Sequence, residues 1–122
     1  MAKRFTASDK WEDYWFRRLH PKYKLLWIYM LDKCNLAGFW EKDFELASTF
    51  IGFKYEESEI FKTFSNRLIP VNNKIFIPKF IEFQYNRKID ELDENNNVHK
   101  AVIKILSKYS IDTLSIPYQY SI

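Results

Sequence analysis

A mainly α-helical domain carrying one small β-hairpin is the fold class that this 122-residue chain predicts. Three observations predict it. Apolar residues recur at helical spacing in stretch after stretch between Lys10 and Tyr109. Leu68-Ile69-Pro70-Val71, Asn72-Asn73 and Lys74-Ile75-Phe76-Ile77 read as strand, two-residue turn, strand, because Asn tolerates the positive φ that such turns demand. The order is that of a winged helix-turn-helix with extra N- and C-terminal helices: three helices, a short strand between the first and second, and the hairpin after the third.

The organising stretch is Pro21 to Trp40, PKYKLLWIYMLDKCNLAGFW. Pro at a first helical position and Gly38 as a left-handed stop bound a helix of about three to four turns. Tyr23, Leu25, Leu26, Trp27, Ile28, Tyr29, Met30 and Leu31 make it apolar almost all round, so it is expected to be buried on several sides.

Before it, residues 1–9 read as an arm, with Ser8 or Asp9 capping a helix from about Lys10 to Leu19. Trp11, Trp15, Phe16 and Leu19 form its apolar stripe. His20, at the junction, reads as a local hydrogen-bonding residue. After Gly38, Phe39-Trp40-Glu41 is long enough for a short strand only. Asp43 caps a helix from Phe44 to Ile51, with Ala47, Phe50 and Ile51 inward and Gly52 as its stop. A further helix runs from about Tyr55 to Arg67, with Ile60, Phe61, Phe64 and Leu68 on its core face. Its other face shows Tyr55, Ser58, Glu59, Lys62, Thr63 and Asn66.

Pro70 confines the first hairpin strand to an edge. Pro78 opens a short helix, Lys79 to Tyr85, with Phe80, Ile81 and Phe83 inward. Arg87 to Asn97 is charged and Asn-rich and reads as an exposed connector. Val98 to Tyr109 is helical, with Val102, Ile105, Leu106 and Tyr109 on one side and Lys100, Lys104 and Lys108 as a basic row. The expected organisation is a winged domain over 1–85, a connector over 86–97, a C-terminal helix over 98–109 and a flexible repetitive tail over 110–122. In that tail Tyr109-Ser110-Ile111 recurs as Tyr120-Ser121-Ile122, and the incomplete second copy leads us to expect the N-terminal portion of a longer protein.

Composition bounds the function. A hydrophobic fraction of 47%, with 11 Phe, 8 Tyr and 4 Trp against 2 Gly, excludes disorder as the default. No run reaches membrane-helix length, no apolar signal core follows Met1-Ala2-Lys3-Arg4, and one cysteine, Cys34, forms no internal disulfide. A soluble cytoplasmic protein without a membrane partner is expected. With no Gly-rich phosphate loop, nucleophile motif or metal-ligand spacing, neither an enzyme, a cofactor nor a metal site is expected. Cys34 and His99 are distant in sequence, and Asp90, Glu91, Asp93 and Glu94 read as a solvated charge run rather than an acid and base.

The net charge of +3 is unevenly spread. Residues 1–33 hold eight Lys/Arg against four Asp/Glu, and 69–89 hold four against one, whereas the other stretches are acidic. Such clusters fit a polyanion partner and equally fit solvated faces.

The run WFRRLHPKYKLLWIYMLDKCNLAGFWEKDFELAS, the Ile51-Gly52 pair and FIPKFIEFQY at 76–85 resemble the N-terminal domain of phage replication initiators, the replisome organisers related to DnaD-like primosome proteins. The resemblance covers about residues 5–109 and departs from the family at His20, where a Ser or similar cap is more usual. It implies a winged-helix domain that helps load the replicative helicase at a phage or prophage origin, followed by a repetitive linker and a second domain. Its implied partners are double-stranded DNA, with single-stranded DNA as a second form, and the replicative helicase or its loader.

In a winged helix the helix after the turn enters the major groove and the wing touches backbone. Glu56, Glu57 and Glu59 crowd the start of that helix, where they suit the dipole but repel phosphate. The expected DNA contacts are therefore Lys62 and Asn66 on the helix, Asn72, Asn73, Lys74 and Lys79 around the hairpin, and Arg17, Arg18, Lys22 and Lys24 at the first helix junction. Two other readings stand beside this one. Excess aromatics (Trp11, Trp15, Phe39, Trp40, Tyr55, Tyr118, Tyr120) suit a self-association or protein-docking module, hence a homo-oligomer. A winged-helix transcriptional regulator would share the fold.

Overall fold

A computed structural model describes residues 3–109. Apart from Tyr109, the tail repeat therefore lies outside the described residues. Six α-helices run through the described chain in sequence order: α1 (Tyr14–Arg18), α2 (Pro21–Lys33), α3 (Phe44–Ile51), α4 (Glu57–Phe64), α5 (Pro78–Tyr85) and α6 (Asn97–Lys108). Strand β1 (Phe39–Glu41) lies between α2 and α3, and β2 (Ile69–Val71) and β3 (Lys74–Phe76) lie between α4 and α5.

The helix expected over 10–19 is two pieces. A 3₁₀ turn, Ser8–Glu12, is followed by α1, and Asp13 between them is extended (φ −69°, ψ 119°) with its carboxylate accepting from the Trp15 amide at 2.9 Å. A short acidic side chain that caps a new helix competes with continuation of the old one. The stripe is broken accordingly: Phe16 is buried, but Trp11 is 53% exposed and meets Phe16 edge-on at 5.1 Å.

Helix α2 begins as expected at Pro21, and His20 serves as its cap, Nδ1 accepting from the Lys22 amide at 3.1 Å. It stops at Cys34, before Gly38. Asn35 ends it: the Asn35 side-chain oxygen accepts from the amides of Ala37 and Phe39, and its own amide donates to the Phe39 carbonyl. That closed turn leaves no ladder for a helix to continue. Gly38 still needs its left-handed φ of +92°, but as the hinge into β1. Leu26, Trp27 and Met30 of α2 are fully buried, and Tyr23, Ile28, Tyr29 and Leu31 are half-buried against the same core, so α2 is covered on several sides as expected, with Leu25, 44% exposed, on its open strip.

The sheet is antiparallel in the order β1-β3-β2, with Pro70 on an edge strand as its missing N–H requires. Asn72 takes φ +56° in the two-residue turn. Register pairs Phe39 with Phe76 and Trp40 with Ile75. Alternation along β3 sends Ile75 and Ile77 into one core and Phe76 into another. The first core joins Leu26, Trp27 and Met30 of α2 to Ile60 and Phe64 of α4. The second joins Phe39 and Phe76 to Ile81 of α5 and to Val102 and Leu106 of α6.

Helix α3 and its stop at Gly52 (φ +94°) fall where expected, and Ala47 is buried, but Phe50 is 66% exposed instead of inward. Helix α4 is shorter than expected, because Ser65 at φ +51° turns it into a 3₁₀ segment, Ser65–Arg67. Tyr55, expected on the exposed face, is buried. The connector is not wholly exposed: a 3₁₀ turn, Ile89–Glu91, buries Ile89 in the second core. The residue 1–9 arm is docked over residues 3–7, the Arg4 guanidinium donating to the Cys34 carbonyl at 2.6 Å and Phe5 N–H to the Gln84 side chain at 2.9 Å. Helix α6 is capped by Asn96 and packs on the three-stranded sheet, with Tyr109 stacked on Phe39 at 4.5 Å. Among the described residues no helix is long and apolar enough to cross a membrane.

A Cβ at Gly38 would stand 2.9 Å from the Ile77 carbonyl oxygen and 3.1 Å from Phe80 Cβ. Gly38→Ala is therefore expected to destabilise the fold by on the order of 2 kcal/mol, read from urea unfolding, because it adds a clash to a left-handed backbone. Burial pushes the Cys34 thiol up to about 12, so a thiol reagent at pH 8 is expected to label Cys34 only after unfolding.

Candidate nucleic-acid interface

Helix α4 is amphipathic by spacing: Ile60 and Phe64 are fully buried, Phe61 is half-buried, and Ser58, Glu59 and Lys62 are exposed. Four contacts fix it against the first helix junction. At its start the Tyr55 hydroxyl donates to the Lys22 carbonyl. Along its buried side Phe64 meets Tyr23 at 6.1 Å and Trp15 at 5.6 Å. Beyond its end the Arg67 guanidinium lies 3.9 Å from the Trp15 ring centroid. The segments bearing Arg17, Arg18, Lys22 and Lys24 therefore flank α4.

Those cations differ in availability. Arg17 is exposed, and so is Arg18, whose guanidinium sits 4.6 Å over the Tyr14 ring. Lys22 and Lys24 are half-buried, with their ammonium groups 5.0 Å from Tyr23 and 5.9 Å from Phe16. Aromatic rings hold such cations without neutralising them. Lys62 and Asn66 are exposed on and just after α4. Glu56, Glu57 and Glu59 are exposed at its start, and Glu57 pairs with Lys42 at 3.0 Å.

Of the hairpin group, Asn72, Asn73 and Lys74 come together and Lys79 does not. Asn72, Asn73 and Lys74 line one cleft of about 490 Å³ with Glu41, Lys42 and Tyr109. Lys74 reaches across to Glu41 on β1 at 2.8 Å. Hydrogen bonding to that partner raises the Lys74 ammonium above its ordinary value and lowers the Glu41 carboxyl. The hairpin thus presents two amides and a cation already matched by a carboxylate. Lys79 is elsewhere: it lies in the first turn of α5, pairs with Glu82 at 3.3 Å and lines a separate groove with Trp15 and Arg67.

Arg67 was missed by sequence reasoning, although it directly follows Asn66 in the chain. Burial lowers its guanidinium from the ordinary value, with the Asp13 carboxylate acting the other way. Its half-buried seat on Trp15 makes it a link between α1 and α4. The basic row Lys100, Lys104 and Lys108 is exposed on α6, on the opposite side of the sheet from the α4 core. Among the described residues no three His, Cys, Asp or Glu side chains gather as a metal-holding group. Comparison of the chain with protein-family models, with curated proteins and with solved structures returns no match.

The Tyr55 hydroxyl is the hinge pin between α4 and the α1–α2 junction, and burial, with Tyr23 adding to it, pushes it up to about 12 from 10.0. A phenol raised on folding contributes stability that is complete below pH 10 and is lost as pH rises toward 12. Tyr55→Phe is expected to cost about 1 kcal/mol at neutral pH through the lost hydrogen bond. It should also make the alkaline fall in stability between those pH values shallower, as followed by circular dichroism.

Proposed function

We propose that this chain is a DNA-binding winged-helix domain of the replication-initiator type that its sequence resembles, acting at a phage or prophage origin where a replisome is organised. The observation that carries the reading is the element order. Helix α2, strand β1, helices α3 and α4 joined through Gly52, then a β2–β3 hairpin in a sheet ordered β1-β3-β2, matches the order expected of a winged helix-turn-helix. In this reading DNA lies along the C-terminal half of α4, with Lys62 and Asn66, and against the flanking junction with Arg17, Arg18 and Lys22. The hairpin contributes Asn72 and Asn73 but little net charge, because Lys74 is paired. The contacts are mostly to phosphate, so sequence selectivity is low and salt dependence strong.

One observation favours a second reading, in which the domain docks protein. Phe50 is 66% exposed, Leu46 45% and Leu25 44%, and Phe50 lies 6.3 Å from Tyr29 of α2, so α2 and α3 together offer an apolar patch. Self-association, or docking of the helicase or its loader, would use such a surface.

Fluorescence anisotropy with labelled duplex and single-stranded DNA at two salt concentrations separates the readings. The DNA reading expects a log-log salt slope of roughly −3 to −4, as about four neutralised phosphates give. Arg17→Glu/Arg18→Glu and Lys62→Glu are each expected to weaken binding by about tenfold or more, and Lys74→Glu much less. Absence of binding at low salt, with dimers or larger species by light scattering, would favour protein docking instead.

A further inference from the structure

The N-terminal arm occupies a cleft between α2 and α5 in the manner of a bound peptide. The Gln84 carboxamide grips its backbone twice, accepting from Phe5 N–H at 2.9 Å and donating to the Lys3 carbonyl at 3.4 Å. One side-chain amide answering the carbonyl and N–H of residues two apart is how an extended strand is read, without regard to its side chains. The intervening residue, Arg4, turns into the protein. Its guanidinium donates to the carbonyl of Cys34, the residue that ends α2, and lies 5.3 Å from the Phe80 ring centroid. A helix C-terminus and an aromatic face both favour a cation there.

The fit is incomplete in two places. Arg4 Nε is buried with no hydrogen-bond partner. Beneath Thr6 and Ala7 remains a cavity of about 180 Å³, walled chiefly by Trp27, Ile28, Leu31, Phe80 and Phe83. Its size is near that of engineered apolar cavities that take up benzene. On its other side Phe5, Thr6 and Ala7 also line the larger groove of about 1060 Å³, so the arm is the partition between two spaces. Phe5 itself points outward, 75% exposed. An occupant with a large apolar side chain in the place of Thr6 or Ala7 would fill what the arm leaves empty.

From this we infer that the α2–α5 cleft is a docking site for an extended segment of a partner protein. That segment carries an arginine and, two or three residues later, a large apolar side chain, and the chain's own residues 3–7 hold the site in its absence. The inference is independent of the DNA reading. The arm competes as a tethered ligand, so a partner gains access by displacing it.

The test uses the full chain carrying Arg4→Ala, which loosens the arm and leaves the cleft intact, with folding checked by circular dichroism and cooperative unfolding. Fluorescein-labelled peptides KRFTASD, matching residues 3–9, KRFTLSD and KAFTLSD are titrated by anisotropy. KRFTLSD is expected to bind about tenfold tighter than KRFTASD, from the apolar volume it fills. KAFTLSD is expected to bind about tenfold weaker than KRFTLSD. The unsubstituted chain should bind all three more weakly than the Arg4→Ala chain does. No binding of KRFTLSD to the folded Arg4→Ala chain, or equal binding of KRFTLSD and KAFTLSD, would overturn the proposal. Should Arg4→Ala not fold, Ala7→Leu in the otherwise unchanged chain decides. A raised Tm supports a leucine-accepting cavity, and a lowered or unaltered Tm overturns it.

Discussion

Strand β3 is three residues long and buried on both faces, and the rest of the molecule follows from that. Ile75 and Phe76 in the strand, and Ile77 just after it, are fully buried, the two isoleucines facing one core and Phe76 the other. Each such side chain removed from water is worth about 1.5–3 kcal/mol, so neither face can be left open. Helices α2 and α4 cover one side and α6 the other, with α5 contributing Phe80 to the first core and Ile81 to the second. A sheet this small has few ladder bonds of its own. Its persistence rests on the helices, and theirs on it. Gly38 belongs to the same constraint, because its carbonyl accepts from the Ile77 amide and only a residue without Cβ lets β1 approach so closely.

That arrangement also decides the electrostatics of the hairpin. Pairing Glu41 of β1 opposite Lys74 of β3 sets a carboxylate beside the one cation that β2 and β3 carry between them. Exposed positive charge lies instead on α6 and at the α1–α2 junction, the latter tied to α4 through Tyr55, Trp15 and Arg67. Glu56, Glu57 and Glu59 at the start of α4 repel phosphate there, so the DNA reading puts phosphate beside Lys62 and Asn66 at its other end.

Much of the fold was legible because its signals are local. The Asn72-Asn73 turn, the Pro70 edge strand, the Asp43 cap and the Gly52 stop each depend on a residue and its immediate neighbours, and each appears where its chemistry placed it. The misses share another cause. Asp13 and Asn35 end segments by side-chain bonds to backbone, which apolar spacing does not register, and Ser65 takes a positive φ with no glycine to announce it. Tyr55 and Ile89 are buried by partners far away in sequence. The candidate interface was readable as a list of basic residues but not as a surface, because the pairing of Lys74 and the separation of Lys79 are tertiary facts.

The central claim, that nucleic acid lies along α4 and the adjoining junction rather than on the hairpin, is tested most directly by amide chemical-shift mapping on the ¹⁵N-labelled chain titrated with a short duplex. The account predicts perturbations concentrated at Arg17, Arg18, Lys22, Lys62 and Asn66, with smaller ones at Asn72 and Asn73. Shifts confined to Asn72–Lys74, or none at low salt, would contradict it.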